Sequence, residues 1–238
     1  MLLGGQSMFK GKEIYFLLFS LLLFISSIII SHGIKNIGTK NENYITVKGL
    51  SEREILSTSS SWEFRYSLTG NTINDINKAN NLSLSKIKSF FLKHGFSEDH
   101  IKMGFMEFNE ETYKESLYKY RAYISLTVHT KNIEQMEAAE KNIAELYNQG
   151  ILISNSGGPR YYFDNINDIK PEMLADSIRN AKLAALEFAK HSSSKLGKIK
   201  NANQGYFEFL PIDRSLGDQE RYSKKILRIV TTVSYYLD

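Results

Sequence analysis

The sequence predicts an α+β (mixed α/β) fold: strand pairs alternate with three helices packed on sheets, preceded by one N-terminal transmembrane or signal helix. Three observations predict it. An uncharged apolar run stands near the N-terminus. Beyond it the hydrophobic period switches repeatedly between two, which is typical of strands, and 3.6, which is typical of helices. Strand pairs separate the helical stretches, and this order favours sheets with helices on one face.

Composition excludes several classes of protein. The 238 residues are 42% hydrophobic and 24% charged, a globular balance. There is no cysteine, so disulfides, Cys-ligated metals and thiol catalysis are excluded. The 30 basic and 26 acidic residues are interspersed, whereas a nucleic-acid-binding protein clusters its basic residues on one face. We therefore expect no nucleic-acid partner.

The apolar run covers residues 14–30 and carries no charge. As a helix it is about 26 Å long, close to the hydrocarbon thickness of a bilayer. Lys10 and Lys12 precede it, as in an export signal. A membrane partner through residues 14–30 is one interpretation. The others are a signal peptide cleaved after Ser31-His32-Gly33 and a buried core helix.

These observations predict the organisation of the chain and its location. Residues 1–33 form a signal anchor or signal peptide, 34–43 a linker, and 44–238 one α+β domain. A long domain that follows a short basic tail is translocated largely regardless of its charge. We expect a single-pass inner-membrane protein with a periplasmic C-terminal domain. The alternative is secretion to the periplasm or outer membrane after cleavage near Gly33.

The first elements of the domain follow in order. Residues 44–49 predict a short strand, and a long strand follows from Ile55. Trp62, Phe64, Tyr66 and Leu68 share the apolar face of that strand. Asn71 is the predicted N-cap of the next helix, which ends at His94-Gly95. Its apolar side carries Ile76, Ala79, Leu84, Ile87 and Phe91.

The middle of the domain repeats the pattern. Residues 101–108 and 120–128 predict two strands joined by a polar turn that includes Glu110, Glu111 and Lys114. A helix over 133–146 follows, and Gly150 lies just past its end. Residues 151–154 and 160–164 predict short strands on either side of Gly157-Gly158-Pro159, which breaks regular structure.

The last elements are a helix and two strands. Pro171 suits the first turn of a helix, whose apolar residues continue to Phe188 and which closes near 192–197. Strands are predicted over 198–210 and 225–237. In the final strand Leu227, Ile229, Thr231, Val233 and Tyr235 share one face.

Several segments, in this order, resemble the SIMPL-domain family, also called domain of unknown function 541. They are the opening strand 45–54, the step Gly95–Ile101, Tyr120-Arg121-Ala122, the Ala-rich helix 175–189 and the close at 195–199. Ser51 replaces the second glycine of the family's opening motif. The resemblance implies a bacterial envelope protein, in a family associated with stress defence, some of whose members form oligomers. It implies no catalytic residues.

No residue is predicted to be catalytic, to bind a cofactor or to ligate a metal. Metal ligands recur at short fixed spacings on one element, and the five histidines lack such spacing. They are His32, His94, His100, His129 and His191. The carboxylate pairs Glu110-Glu111 and Glu52/Glu54 are interpreted as solvated charge. Gly157-Gly158 is interpreted as a turn, because it lacks the lysine of a phosphate loop.

Hydroxyl and aromatic runs are the remaining candidates. The small side chains of 57–61 suit a strand that another subunit approaches. Aromatics occur on both faces of the strands that contain Tyr161-Tyr162-Phe163 and Tyr235-Tyr236. One face of each can join the core, and the other must be covered or exposed.

We therefore expect a non-enzymatic envelope protein that acts through protein contacts, as a homo-oligomer. The alternative is a binding module for a small apolar or envelope-derived ligand. A third hypothesis is a hydrolase that uses His129 and Glu110-Glu111.

Overall fold

The computed structural model describes residues 7–37, 43–113, 115–154 and 157–238. It confirms the α+β class, with two antiparallel sheets of four strands each. In chain order the elements are α1 (Ser7–Ile37), β1 (Tyr44–Leu56), β2 (Ser59–Gly70), α2 (Ile73–Lys93), β3 (Ile101–Glu110), β4 (Tyr120–Thr130), α3 (Ile133–Lys141), α4 (Ala144–Asn148), β5 (Arg160–Tyr162), α5 (Ile166–His191), β6 (Leu196–Asn203), β7 (Phe207–Pro211) and β8 (Lys224–Leu237).

Helix α1 stands apart from the domain. None of its apolar stretch Ile14–Ser31 is buried in the fold, so a core helix is not what this segment forms. By length and composition it is able to cross a membrane. The helix takes in the first four residues of the predicted linker 34–43, since no proline interrupts them. Residues 38–42 of that linker lie outside the described residues.

The first sheet is built around β8, which pairs with β1 along one edge and with β6 and β7 along the other. Helix α5 packs on one face, mainly over β1 and β8. The predicted inner face of β8 is confirmed, because its residues 227, 229, 231, 233 and 235 are all buried. Ile55, Met173 and Leu227 form part of the core between helix and sheet.

Small residues allow α5 to lie very close to β1. Ser177, Ala181 and Ala185 of α5 are buried, and Ser177 shares a 2.6 Å hydrogen bond with Thr231 of β8. Gly49 faces this part of the helix. A Cβ atom at Gly49 would overlap the carbonyl oxygen of Ser177 and the backbone nitrogen of Ala181. The helix therefore rests directly on the strand backbone at this point.

The second sheet has the order β3-β4-β2-β5. Helices α2 and α3 pack on β2 and β4. The predicted apolar face of β2 is confirmed, with Trp62, Phe64 and Tyr66 buried. Phe91 of α2 meets the Phe64 ring edge-on, with centroids 5.2 Å apart. Burial also raises the pKa of Tyr66 to about 12.

Only two residues separate β1 in the first sheet from β2 in the second. Ser57 N–H donates to the Ser223 carbonyl at 2.8 Å, and Thr58 N–H donates to the Tyr162 carbonyl at 2.7 Å. Strand β5 pairs with the start of β2. The chain thus passes from one sheet to the other without a turn, and its backbone groups remain satisfied.

Three predicted helix details were wrong. Thr72, not Asn71, caps α2, because the Thr72 hydroxyl accepts the Asp75 N–H while Asn71 accepts the Lys119 N–H. The helix over 133–146 breaks near Asn142, whose side chain donates back to the Ala138 carbonyl. Pro171 lies inside α5 rather than in its first turn, since the helix begins at Ile166.

The short strands also differ from prediction. The strand predicted over 198–210 is two strands, β6 and β7, separated at Gly205, whose φ of +71° suits glycine. Only Ile153 of the predicted strand 151–154 makes a bridge, and its partner is Tyr66. The strand predicted over 160–164 ends at Tyr162.

Gly49→Ala in the full-length chain should be strongly destabilising, because the new methyl group meets backbone rather than a movable side chain. We expect the free energy of unfolding to fall by about 3 kcal/mol, which lowers Tm by roughly 6–12 °C for a domain of this size. Thermal unfolding followed by far-UV circular dichroism measures it. Gly217→Ala is the matched control, since nothing lies within 4 Å of a Cβ there. Equal Tm values for the two variants would contradict the close packing.

Candidate functional site

The described histidines lie in separate places. His94 caps the end of α2, and His100 Nδ1 accepts the Ser97 N–H at 3.2 Å. His129 lies opposite Ser61 on the helix-free face of the second sheet, and His191 ends α5. The His32 side chain lies outside the described side chains. Among the described residues no three His, Asp or Glu side chains gather as metal ligands.

The carboxylate pairs do not come together either. Glu52 of the first sheet pairs with Arg214 at 3.0 Å, and Glu54 is exposed nearby. Glu111 of the β3–β4 hairpin pairs with Arg121 at 2.5 Å, while Glu110 lies 3.7 Å from Lys119. Each charge that pairs does so with a basic residue at the surface. This geometry offers no pair of facing carboxylates among these four.

Residues 57–61 form a contact with β5 of the same chain. Ser57, Ser59 and Ser60 are buried, and their small side chains let β5 of the same chain approach. Thr58 Oγ1 accepts the Asp164 N–H at 2.8 Å just beyond β5. Within one chain these hydroxyls thus lie beside β5, and the approach of another subunit stays a prediction.

Most aromatic side chains of the two predicted aromatic strands lie in the hydrophobic cores. Tyr161 of β5 is buried in the core of the second sheet and Phe163 packs against the core of the first, so this short segment joins the two cores. Tyr162, between them, lines a polar cleft of about 330 Å³ with Gly157, Gly158 and Arg160. Tyr235 is buried beneath α5. Tyr236 lies on the helix-free face beside Lys200.

A buried polar network between the sheets was not predicted. Lys225 of β8 is 3% exposed and donates to the Tyr161 carbonyl, and burial lowers the pKa of its ammonium. Glu140 of α3 accepts from the Tyr161 hydroxyl and lies 3.6 Å from Arg221. Burial raises the pKa of the Glu140 carboxyl. These contacts cross-link the two halves of the domain.

Strand β3 is the exposed edge of the second sheet. It pairs with β4 on one side, and no strand within the described ranges pairs with its outer side. Such an edge presents unpaired N–H and C=O groups, which are a template for another strand. Natural edges are usually short, charged or covered. Strand β3 has ten residues and several apolar side chains.

Apolar side chains are exposed on both faces of this edge. Met103 and Phe108 lie opposite the core residues Leu126 and Ala122, yet they are 49% and 38% exposed. Phe105 lies on the other face, with the Arg65 guanidinium 5.6 Å from its ring. It is 46% exposed. We call Met103, Phe105 and Phe108, with the outer edge of the strand, the β3 surface.

The β3 surface is exposed because the helices of this sheet pack over other strands. Helices α2 and α3 pack over β2 and β4. The adjoining hairpin tip adds Tyr113 and Leu117, which are more than 80% exposed. A large apolar patch on a protein surface usually marks a contact site. The arrangement suits the docking of a protein segment.

One sequence signal could have revealed this surface. Between Met103 and Phe108 the apolar residues fall on both odd and even positions, so a single buried face cannot take them all. A β-bulge lies between Met103 and Met106, and Phe105 N–H donates to Ser125 Oγ there at 2.9 Å. The bulge itself is not visible in the residue pattern.

Comparison with known proteins identifies the family of the chain. The model of the SIMPL family, described as a protein of unknown function (DUF541), matches residues 45–224. The match begins at the second residue of β1 and reaches the first residue of β8. No curated protein matches the chain significantly. Because the family match covers more than half of the chain, this protein belongs to the SIMPL family.

Proposed function

We propose that this SIMPL protein is a membrane-tethered, non-enzymatic envelope protein that acts through protein contacts and associates with its own copies. The β3 surface carries the proposal: it is an open strand edge with apolar side chains on both faces. Burying one such side chain stabilises a complex by about 1.5–3 kcal/mol. The setting that the family suggests is envelope stress defence.

The N-terminal helix supports the location in this proposal. Lys10 and Lys12 precede an exposed apolar stretch that is long enough for a bilayer. The domain follows it and is translocated, so it lies in the periplasm while α1 remains in the inner membrane. Cleavage near Gly33 is the alternative, and it would release the domain to the periplasm or outer membrane.

Tethering and association reinforce each other. Copies anchored in one membrane diffuse in two dimensions and share an orientation, which raises their effective concentration. A weak surface such as an edge strand then becomes sufficient for assembly. Such assembly needs no chemistry from the carboxylate pairs described above, of which Glu52 and Glu111 are paired with arginines.

The alternative, a module that binds a small apolar ligand, has less support. Tyr161 and Tyr235, from the two aromatic segments, are buried in the cores and cannot line a binding surface. The cleft beside Tyr162 is lined by Glu63, Thr127 and Arg160, which suits polar rather than apolar molecules.

The anchor is tested by charging the apolar helix. Leu21→Arg with Leu22→Arg places two charges near the bilayer centre, at about 2.5–3.5 kcal/mol each. We expect the native chain to stay with membranes after an alkaline wash and the variant to be lost from them. Leu183→Arg, at an exposed position of the domain, is the control and should fractionate like the native chain. N-terminal sequencing of the native protein tests cleavage, since a start at residue 34 would replace the anchor by a signal peptide.

Self-association is tested at the β3 surface. The full-length protein in detergent should sediment as an oligomer, and Met103→Ser with Phe105→Ser should weaken association by about tenfold or more, because two apolar contacts are lost. Leu183→Ser with Phe188→Ser, on the exposed side of α5, is the matched control.

Trp62, the only tryptophan, lies in β2 with its side chain buried in the core, so its unchanged fluorescence would show that the variants remain folded. A native chain that is monomeric over a wide concentration range would refute self-association. An effect of the α5 pair equal to that of the β3 pair would refute the assignment of the surface.

A further inference from the structure

We infer that the partner of β3 is the β3 strand of a second copy, paired antiparallel so that residue 102 of each copy faces residue 107 of the other. This inference rests on the proposed self-association and adds its geometry. In the same alignment residue 101 faces 108 and residue 103 faces 106. The two-fold axis then passes between Gly104 and Phe105.

The bulge decides which registers are possible. Lys102 lies opposite Thr127 and Glu107 lies opposite Tyr123, which places both on the helix-free face. Ile101 and Met106 pack against the core on the helix side. Without the bulge, two residues five positions apart would point to opposite faces. The extra residue of the bulge between Met103 and Met106 places Lys102 and Glu107 on the same face of the sheet.

The register is complementary in charge and in apolar character. Lys102 of each copy faces Glu107 of the other, on the same face of the joined sheet. Neither makes an ion pair within the described part of its own chain. On the helix side Met103 faces Met106 and Ile101 faces Phe108, so apolar side chains meet only apolar ones.

Other alignments of the same strand lose this match. In a register where residue 102 faces residue 110, the two charges could not meet. Glu110 lies opposite Tyr120 on the helix side, whereas Lys102 lies on the helix-free face. The long edge of β1 is a poorer candidate for self-pairing. Asn180 of α5 donates to the Leu50 carbonyl at that edge, and the helix rests on Gly49.

Cysteine cross-linking tests the register directly, since the native chain has no cysteine. Full-length Met103→Cys and Met106→Cys chains carrying different tags are mixed in detergent and oxidised. Facing residues lie about 4.5–5.5 Å apart, within disulfide range, and should cross-link. Met103→Cys mixed with Phe108→Cys is offset by two residues, about 7 Å along the strand, and should react at least roughly tenfold more slowly.

Charge reversal is the second test. Lys102→Glu and Glu107→Lys should each weaken association by about tenfold, because two like-charged contacts form per pair of copies. The double variant should return to within about threefold of the native value. Both residues are exposed, so folding should be unaffected.

The outcomes separate the register from the association. Oligomers that cross-link equally well at the offset pair, or whose double reversal is no better than the singles, would overturn the register and leave the proposed self-association in place. A chain that forms no oligomer would overturn both.

Discussion

The width of a helix limits how many strands of each sheet can be covered by the helices packed on it. A helix with its side chains is about 10–12 Å across and strands lie about 4.8 Å apart, so one helix layer shields roughly two strands. Helix α5 lies over β1 and β8, and α2 lies mainly over β2. The strands at the far edges, β3 and β6, therefore lack full cover. Exposure of the β3 surface follows from this limit together with the strand order.

The alternation of apolar and polar residues was sufficient to predict most of the strands. Alternation identified the inner faces of β2 and β8, because one covered face leaves a period of two in the residues. It failed where local signals compete. Asn71 and Thr72 are both good caps, and the hairpin contact with Lys119 decides between them. Pro171 marked a helix start by preference, yet α5 tolerates it several residues further in.

The position of β3 at the edge of its sheet could not be predicted from the residues alone, because it depends on strand order. Strands β2 and β3 are both apolar, but β2 is central and β3 is at the edge. The residues of a strand do not determine which strands will lie beside it in the sheet. The same holds for Lys225, which reads as a surface lysine but is buried where the two sheets meet. Its contact with Tyr161 joins residues 64 positions apart.

The other strand edges determine whether the proposed association through β3 would end at a closed pair or continue into a fibre. An open edge invites endless addition only if a second one remains free. On the second sheet the opposite edge is β5, only three residues long. On the first sheet Asn180 of α5 donates to the Leu50 carbonyl at the outer edge of β1, and β7 has five residues and ends at Pro211. Each of these features opposes strand addition. The proposed two-fold pairing of β3 with β3 uses the extended apolar edge of both copies at once, so assembly through this surface would end with two chains.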